Sequence, residues 1–183
     1  MLSCGIIGLP NVGKSTLFKA LTKKQVDISN YPFCTIEPNH GIVAVPDARL
    51  DKLAAIVHPQ KITPTAIEFV DIAGLVKKAH LGEGLGNQFL AQIREVDAIL
   101  EVARCFQNPQ IAHTEGAPDP ERDIRIIMLE LIMKDLETIK KRLEKTKTEA
   151  KSGDKEKIKE AILLGQMQKW LNDGQPLKYF PAS

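Results

Sequence analysis

The feature that most constrains the fold of this chain is a short segment near its N-terminus with glycines at fixed positions, followed by lysine and serine. Residues 8–15 read Gly-Leu-Pro-Asn-Val-Gly-Lys-Ser and match the pattern GxxxxGK[ST] at every fixed position. The apolar stretch before it predicts a short buried strand over residues 2–7, and a helix is predicted from Gly13 to Lys23. A strand, a glycine-containing loop and a helix in this order predict a phosphate-binding loop in an α/β fold.

Each fixed position of this phosphate loop has a physical reason. Glycines let the backbone curl until several N–H groups point at one centre, and the N-terminus of the following helix adds to the attraction for anionic phosphates. Lys14 supplies positive charge at the β- and γ-phosphates, and the hydroxyl of Ser15 is a ligand for Mg²⁺. The sequence therefore predicts a site for a nucleoside triphosphate with Mg²⁺.

Two further segments are expected to contact the γ-phosphate and its metal ion. Asp71-Ile72-Ala73-Gly74 forms a DxxG pattern at the end of a strand predicted over residues 65–72. Asp71 there can hold Mg²⁺ through a water molecule, and the backbone N–H of Gly74 can meet the γ-phosphate. Thr35, in the loop over residues 25–38, can close over the ion and be released on hydrolysis. The alternatives are a plain turn at the strand end and an ordinary loop threonine.

The rest of the first 106 residues alternates between strand and helix patterns. Two more strands are predicted over residues 40–45 and 98–106, and two more helices over residues 48–57 and 87–96. Alternation of this kind predicts a mainly parallel sheet with helices on both faces.

The pattern changes at about residue 107. Residues 107–120 hold three prolines and a glycine, as a connecting loop would, and a helical pattern begins at Asp119. The break at Ser152–Gly153–Asp154 separates two helices and predicts an antiparallel hairpin. Its apolar seam is expected at Leu129, Ile132, Leu136, Ile139 and Leu143, and on the returning helix at Ile158, Ala161, Leu164 and Leu171.

Composition excludes several classes of protein. A formal net charge of +2 gives no general argument for a nucleic-acid or membrane partner. Three cysteines (Cys4, Cys34 and Cys105) at wide spacings indicate neither a disulfide framework nor a zinc site, which favours a reducing compartment. No stretch approaches the roughly 20 apolar residues that span a bilayer. A cytoplasmic protein without a membrane partner is the expectation.

Four segments together resemble a known family. GLPNVGKSTLF, NYPFCTIEPN, FVDIAGLV and GEGLGNQFL are similar to the Obg-related P-loop NTPases and, within them, to the YchF or Obg-like ATPase branch. Arg104-Cys105-Phe106 at the predicted strand end is also typical of that branch. The resemblance covers essentially the whole chain.

The resemblance implies a Ras-like α/β core, incomplete at its C-terminal side, with a helical coiled-coil hairpin insertion. It divides the chain into a partial core over residues 1–118, a hairpin over 119–175 and a tail over 176–183 that leads to the remaining strands and a TGS domain. It also implies ATP in preference to GTP, and association with the ribosome through ribosomal RNA or protein. Nucleotide contacts would fall on Asn11, Val12, Gly13, Lys14, Ser15 and Thr16, and Mg²⁺ on Ser15 and Thr35.

The sequence contains neither NKxD nor the NxxE that resembles its replacement in this family, and the resemblance implies that this motif lies beyond residue 183. The choice between ATP and GTP therefore rests on the resemblance alone. An Obg-type GTPase remains an alternative, as does an interaction fragment that no longer hydrolyses nucleotide.

The group that would position the attacking water is open. Leu75 occupies the position where Ras-like enzymes carry a glutamine, and leucine cannot hydrogen bond to water. His113 matches a loop histidine that the family is thought to use, and completes an expected catalytic set with Lys14, Asp71 and Gly74. His80 in the glycine-rich loop is a second candidate. A K⁺ ion at Asn11 is a third, as in related potassium-activated enzymes.

The predicted hairpin is locally basic. Residues 134–159 hold ten Lys or Arg and six Asp or Glu, an excess of four positive charges. A basic arm of this kind can contact RNA phosphates, and the alternative is the solvated face of a charged helix.

Overall fold

The computed structural model describes residues 1–24, 39–72 and 91–181, and within these residues four strands form one sheet. The strands are β1 (Leu2–Ile7), β2 (His40–Ala44), β3 (Ala66–Asp71) and β4 (Ala98–Glu101), in the spatial order β2-β3-β1-β4. β1 is parallel to both β3 and β4, whereas β2 is antiparallel to β3. The predicted mainly parallel sheet is confirmed.

Four helices of eight or more residues occur in the described part of the chain. They are α1 (Lys14–Leu21), α2 (Ala48–Val57), α3 (Pro120–Ala150) and α4 (Lys155–Asn172). A 3₁₀ turn, Thr22–Lys24, continues α1, and a second one, Leu177–Tyr179, follows α4. Residues 91–94, within the helix expected over 87–96, are also helical. None of these helices is long and apolar enough to cross a membrane.

The helix starts follow ordinary capping chemistry. Asp47 accepts a hydrogen bond from the backbone N–H of Arg49 at the start of α2. Asp119 and Asp154 do the same at the starts of α3 and α4, and Pro120 occupies the first helical position of α3. The turn at Ser152–Gly153–Asp154 separates α3 from α4 as predicted, with Gly153 at φ 86°.

The strand expected over residues 98–106 was wrong beyond Glu101. The backbone N–H of Val102 still donates to the carbonyl of Ile7 at 2.8 Å, and the chain then leaves the sheet. The cause is Arg104, whose buried guanidinium donates to three carbonyls further along the chain. These bonds curl the backbone over residues 104–111 and are incompatible with an extended strand. The carbonyls belong to Phe106, Asn108 and Ile111.

Two apolar clusters organise the interior. The first lies against the sheet and contains Ile7, Val70 and Ile72 together with Ile127 of α3. The second lies between α3 and α4. Its buried members are Ile132, Leu136, Ile139, Leu143, Leu164 and Leu171. Helix α3 therefore contributes to both clusters within one continuous element.

The predicted seam was wrong at its two ends. Leu129 is 56% exposed, because α4 has 18 residues against the 31 of α3 and does not reach back as far as residue 129. Ile158 is also exposed, in the first turn of α4, next to the turn that joins the two helices. The central positions of the seam are buried as expected.

Candidate nucleotide site

The phosphate loop lies at the carboxyl edge of the sheet. β1 and β3 are parallel neighbours, with Ile6 paired to Asp71, so both strands end at the same edge. The backbone N–H of Ile72 donates to the carbonyl of Ile6 at 3.2 Å, which extends this pairing by one residue. Ligands of open α/β sheets bind outside the carboxyl ends of the strands. The geometry thus brings Asp71 beside the loop that follows Ile7.

Buried side chains and special backbone angles fix the shape of the loop. Leu9 and Val12 are buried in the same cluster as the end of β1. Asn11 and Gly13 between and after them have φ of 62° and 106°, which turn the backbone back on itself. Gly8 allows a close approach to β4, since a Cβ there would lie 2.5 Å from the carbonyl oxygen of Val102. The loop is curled, as the phosphate-binding prediction requires.

The donors of this loop are available for an anion. No hydrogen bond to a described residue is donated by the backbone N–H groups of residues 11–14. The N-cap residue of α1 is Gly13, which supplies no side-chain cap, so the helix N-terminus is also open. Free N–H groups and a helix N-terminus form a suitable site for phosphate oxygens.

Lys14 lies across the loop as a poorly solvated cation. Its side chain is buried, with the residue 7% exposed, and Nζ donates to the carbonyl of Leu9 at 2.9 Å. Burial lowers the pKa of Lys14 below its ordinary value, and the nearby charge of Asp71 opposes this shift. A phosphate at the loop would restore the electrostatic stabilisation that the ammonium group loses on burial.

The groups expected to hold Mg²⁺ fit that ion. Ser15 is exposed in the first turn of α1, and neither its hydroxyl nor the Asp71 carboxylate hydrogen bonds to a described residue. The described ranges contain no cluster of three His, Cys, Asp or Glu side chains. Mg²⁺ bound to a nucleotide takes only one or two protein ligands, and phosphate oxygens and water complete its octahedron. The hydroxyl of Ser15 and the carboxylate of Asp71 supply the oxygen ligands that such an ion needs.

The contacts of Asn11 link the phosphate loop to the loop over residues 107–118. Its Nδ2 donates to the carbonyl of Ala112 at 3.2 Å. The amide oxygen of Asn11 makes no hydrogen bond within the described part of the chain, and an amide oxygen of this kind can ligate a cation. The exposed hydroxyl-bearing side chains of Ser15 and Thr16 lie in the first turn of α1, where the nucleotide contacts were predicted.

His113 is held away from solvent. Its side chain is 1% exposed, and Nε2 lies 2.9 Å from Oδ2 of Asp123, whose side chain is 2% exposed. Oδ2 lies off the N–H direction of the ring, so this is a close electrostatic contact and not an aligned hydrogen bond. Nδ1 accepts from the backbone N–H of Glu115 at 3.2 Å. In this arrangement neither ring nitrogen faces the phosphate loop, and the catalytic role of His113 stays a prediction.

Sequence reasoning missed Asp123 and the function of Arg122 and Arg104. An acidic residue in the first turn of a helix is ordinarily explained by the helix dipole, and nothing in the local pattern marks Asp123 as buried. Arg104 served only as a family marker, whereas the structure buries it as the organiser of the loop after β4. The weak available signal was a polar residue at an apolar-phase position of α3, four residues before Ile127.

Four residues of the predicted site lie outside the described residues. They are Thr35, Gly74, Leu75 and His80. The roles assigned to them from the sequence therefore stay predictions.

Comparisons with known proteins agree on one family. Residues 3–155 match the sequence family described as 50S ribosome-binding GTPase. Over 175 residues the chain is 58% identical to the Ribosome-binding ATPase YchF of Mycoplasma genitalium, a match that covers 96% of this chain and 48% of that protein. A protein of the same name from Haemophilus ducreyi is 57% identical over 161 residues, covering 88% of this chain and 44% of that protein.

A solved structure supports the same fold. The YchF GTPase of Schizosaccharomyces pombe aligns with a TM-score of 0.79 at 41% identity, covering 100% of this chain and 50% of that chain. The chain therefore spans about half the length of the relatives that it matches. The predicted P-loop α/β fold is confirmed by this neighbour and by the family match.

Proposed function

Because the chain belongs to the YchF family of P-loop nucleotide hydrolases, we propose that it binds a nucleoside triphosphate with Mg²⁺ and that the full-length protein hydrolyses it. One observation carries the proposal. The loop over residues 8–13 is curled at Asn11 and Gly13, the N–H groups of residues 11–14 donate to no described residue, and the buried cation of Lys14 lies across the loop. Such a site suits a polyphosphate and few other ligands.

Each chain residue has a definite task in this proposal. Lys14 draws negative charge from the β- and γ-phosphates as the bond to the leaving group lengthens. Ser15 and Asp71 would hold Mg²⁺, Thr35 would close over the ion, and the backbone of Gly74 would contact the γ-phosphate. Mg²⁺, when bound, neutralises charge on the β- and γ-oxygens. The backbone N–H groups of residues 11–16, together with these side chains, keep the nucleotide in line for attack by water.

The nucleotide is proposed to be ATP. Support comes from the names of the bacterial relatives, which are ribosome-binding ATPases, whereas the fission-yeast relative is titled a GTPase. An Obg-type GTPase is therefore the second candidate. Competition of ATP and GTP for the full-length protein, measured with a fluorescent nucleotide, separates the two. Preferential displacement by GTP would overturn the ATP assignment.

Water positioning is assigned to His113, with K⁺ at Asn11 as an alternative source of positive charge and His80 as a second histidine. The amide oxygen of Asn11, which accepts no hydrogen bond from a described residue, supports the cation alternative. Turnover that is equal in sodium and potassium would remove it. Turnover that survives His113→Ala would remove the histidine.

The ribosome is proposed as the macromolecular partner, contacted by the hairpin of α3 and α4 through ribosomal RNA. A ribosomal partner places the protein in the cytoplasm. Many hairpin charges are neutralised by ion pairs, such as those of Glu137 with Lys134 and Lys141. Among the lysines of α3 and its C-cap, three exposed ones form no ion pair with any residue described in the structure, and their spacing of seven and four puts them near one face, which also carries the exposed Glu144. They are Lys140, Lys147 and Lys151.

Three unpaired lysines around one carboxylate leave this face with a net positive charge, which suits a phosphate backbone. Charge reversal of these three lysines in the full-length protein is expected to weaken ribosome binding and to reduce its dependence on salt. Binding that is insensitive to salt in the unmodified protein would favour a ribosomal protein as the contact. A fragment that binds a partner without hydrolysis is the remaining alternative, and nucleotide titration tests it.

The central experiment uses Lys14→Ala in the full-length protein. Loss of the ammonium is expected to abolish measurable Mg-ATP binding by isothermal titration calorimetry, or to weaken it by at least a hundredfold, since one charged contact of this kind contributes about 2–3 kcal/mol or more. Lys19→Ala is the matched control, because Lys19 is exposed on the same helix and its side chain forms no ion pair with a described residue. Equal affinity of the Lys14→Ala and unmodified proteins would refute the site.

A further inference from the structure

The loop over residues 107–118 connects the phosphate loop to the first turn of α3. On one side, the carbonyl of Ala112 accepts a hydrogen bond from Asn11 at 3.2 Å. On the other side, the side chain of the next residue, His113, is buried against Asp123. Two adjacent residues of the loop therefore contact the nucleotide site and the hairpin, respectively.

Arg122 strengthens the hold of α3 on this loop. Its guanidinium donates to the carbonyl of Ala117 at 2.7 Å and, more weakly, to that of Glu115 at 3.4 Å. It also donates to Oδ1 of Asp123 through Nε at 3.2 Å and Nη2 at 2.9 Å. Asp123 thus uses one oxygen for Arg122 and the other for His113.

The contact between His113 and Asp123 is close but poorly aligned. Nδ1 of the ring accepts the N–H of Glu115, which assigns the ring proton to Nε2, facing Asp123. Oδ2 of Asp123 lies 2.9 Å away but off the N–H direction. The pair is held by proximity and by the charge of Asp123, so removal of that charge is expected to loosen it.

The loop also has room to rearrange. It surrounds a cavity of about 310 Å³ that is lined by Arg104 and His113 among others. Gly116, with φ of 83° and no neighbour near an added Cβ, gives the backbone a point at which to turn. Ala112 and Thr114, on either side of His113, are exposed, so among these three residues only His113 places its side chain in the interior.

We propose that Asp123, supported by Arg122, is a positioning residue that stores His113 against the start of α3 and so keeps the loop over residues 107–118 in an inactive arrangement. Release of this contact frees His113 for the phosphate site. The effect on turnover rests on the proposed function of His113, whereas the storage contact itself does not. Because α3 continues into the hairpin, a partner that binds the hairpin can favour release of His113 from Asp123. By thermodynamic linkage, a bound nucleotide then changes the affinity of the protein for that partner.

The test uses Asp123→Asn in the full-length protein. Loss of the carboxylate charge is expected to raise ATP turnover without any partner by about five- to thirty-fold, as removal of one charged contact would. Glu121→Gln is the matched control, because Glu121 lies in the same helical turn, is exposed and pairs with Arg125. It is expected to leave turnover unchanged. Turnover that is unchanged or lower in folded Asp123→Asn protein refutes the release step.

A double variant connects the effect to the histidine. Adding Asp123→Asn to His113→Ala is expected to change turnover no further, whereas an increase in that background would show that Asp123 acts through another group and would overturn the proposal. Arg122→Gln provides a second route if Asp123→Asn does not fold. It leaves the carboxylate in place and is expected to raise turnover in the same direction by a smaller factor.

A measurement without turnover separates the storage contact from the proposed function. Hydrogen exchange of the Glu115 amide, which donates to His113, is expected to be protected in the unmodified protein and in Glu121→Gln. It is expected to lose protection in Asp123→Asn and in Arg122→Gln. Protection that persists in both variants refutes the storage contact. Protection that is lost while His113→Ala keeps full turnover would refute the catalytic role of His113 and leave the contact standing.

Discussion

Replacement of Gly8 by alanine is expected to reduce both stability and nucleotide binding, because Gly8 lies against the backbone of Val102, which directly follows β4. An added Cβ would lie 2.5 Å from the carbonyl oxygen of Val102, whereas ordinary contact begins at 3.4 Å. The oxygen belongs to the backbone and cannot rotate away. Val102 must therefore withdraw by about 1 Å, and its N–H must loosen the 2.8 Å hydrogen bond to the carbonyl of Ile7.

The magnitude follows from these two effects. Overpacking of a close backbone approach costs about 1–3 kcal/mol, and a weakened backbone hydrogen bond costs about 0.5–1.5 kcal/mol. The positive φ of 155° at Gly8 adds strain for any other residue. We expect Gly8→Ala to lower the free energy of unfolding by about 2–4 kcal/mol. Because the same shift moves the start of the loop, Mg-ATP affinity should fall at least tenfold.

The assay is urea denaturation of the full-length protein, monitored by circular dichroism. Nucleotide affinity is measured separately, by titration in the absence of urea. Gly165→Ala is the control, since Gly165 lies inside α4 with no heavy atom within 4 Å of an added Cβ. It should stabilise the protein by about 0.5–1 kcal/mol through helix propensity. Gly8→Ala with an unchanged unfolding midpoint and unchanged affinity would refute the close-approach reasoning.

Two further predictions concern protons. Since burial lowers the pKa of Lys14, nucleotide affinity should be constant while Lys14 is charged in the free protein, and should fall as pH rises through the lowered pKa toward 10.5. Calorimetry in buffers of different ionisation enthalpy should then detect proton uptake on binding, and its absence at every pH would contradict this. For Glu137, hydrogen bonds from Lys134 and Lys141 lower the pKa from 4.5 to about 2. The stability that Glu137 contributes should be present above pH 4.5 and decline as pH falls toward 2. It should amount to less than about 1 kcal/mol, because these ion pairs are solvated. It should disappear in Glu137→Gln and at high salt.

The sequence was sufficient for the parts of the site that are local in the chain. The phosphate loop needs particular residue types at fixed spacing, so Gly8, Gly13 and Lys14 were predicted without any knowledge of the fold. Asp71 was predicted at the end of a strand, whereas the pairing of that strand with β1, which brings Asp71 beside the loop, is seen only in the structure. These inferences depend on backbone conformation and periodicity, which a sequence records directly.

Inferences that depend on distant packing were less successful. The seam of α3 was extended to Leu129 because helical spacing continues there, but spacing does not reveal where the partner helix ends. The strand after residue 98 was extended to Phe106 because its residues are apolar, while the buried guanidinium of Arg104 turns the chain instead. His113 was expected near the phosphates, and its contact with Asp123 joins a loop to the first turn of α3, which no local pattern connects.

The course of α3 explains why the site and the hairpin cannot be treated as independent. Ile127 is buried in the cluster that holds Leu9 and Val12 of the phosphate loop, and five residues later Ile132 begins the cluster shared with α4. A continuous hydrogen-bonded helix resists stretching. If the first turn of α3 is displaced, the side chains of α3 must therefore repack either against the phosphate loop or against α4. The contact between Asp123 and His113 lies one turn before Ile127, at the end of the helix that touches the loop beside Asn11. A nucleotide that shifts Asn11 and a partner that shifts the hairpin therefore act on the same turn of the same helix.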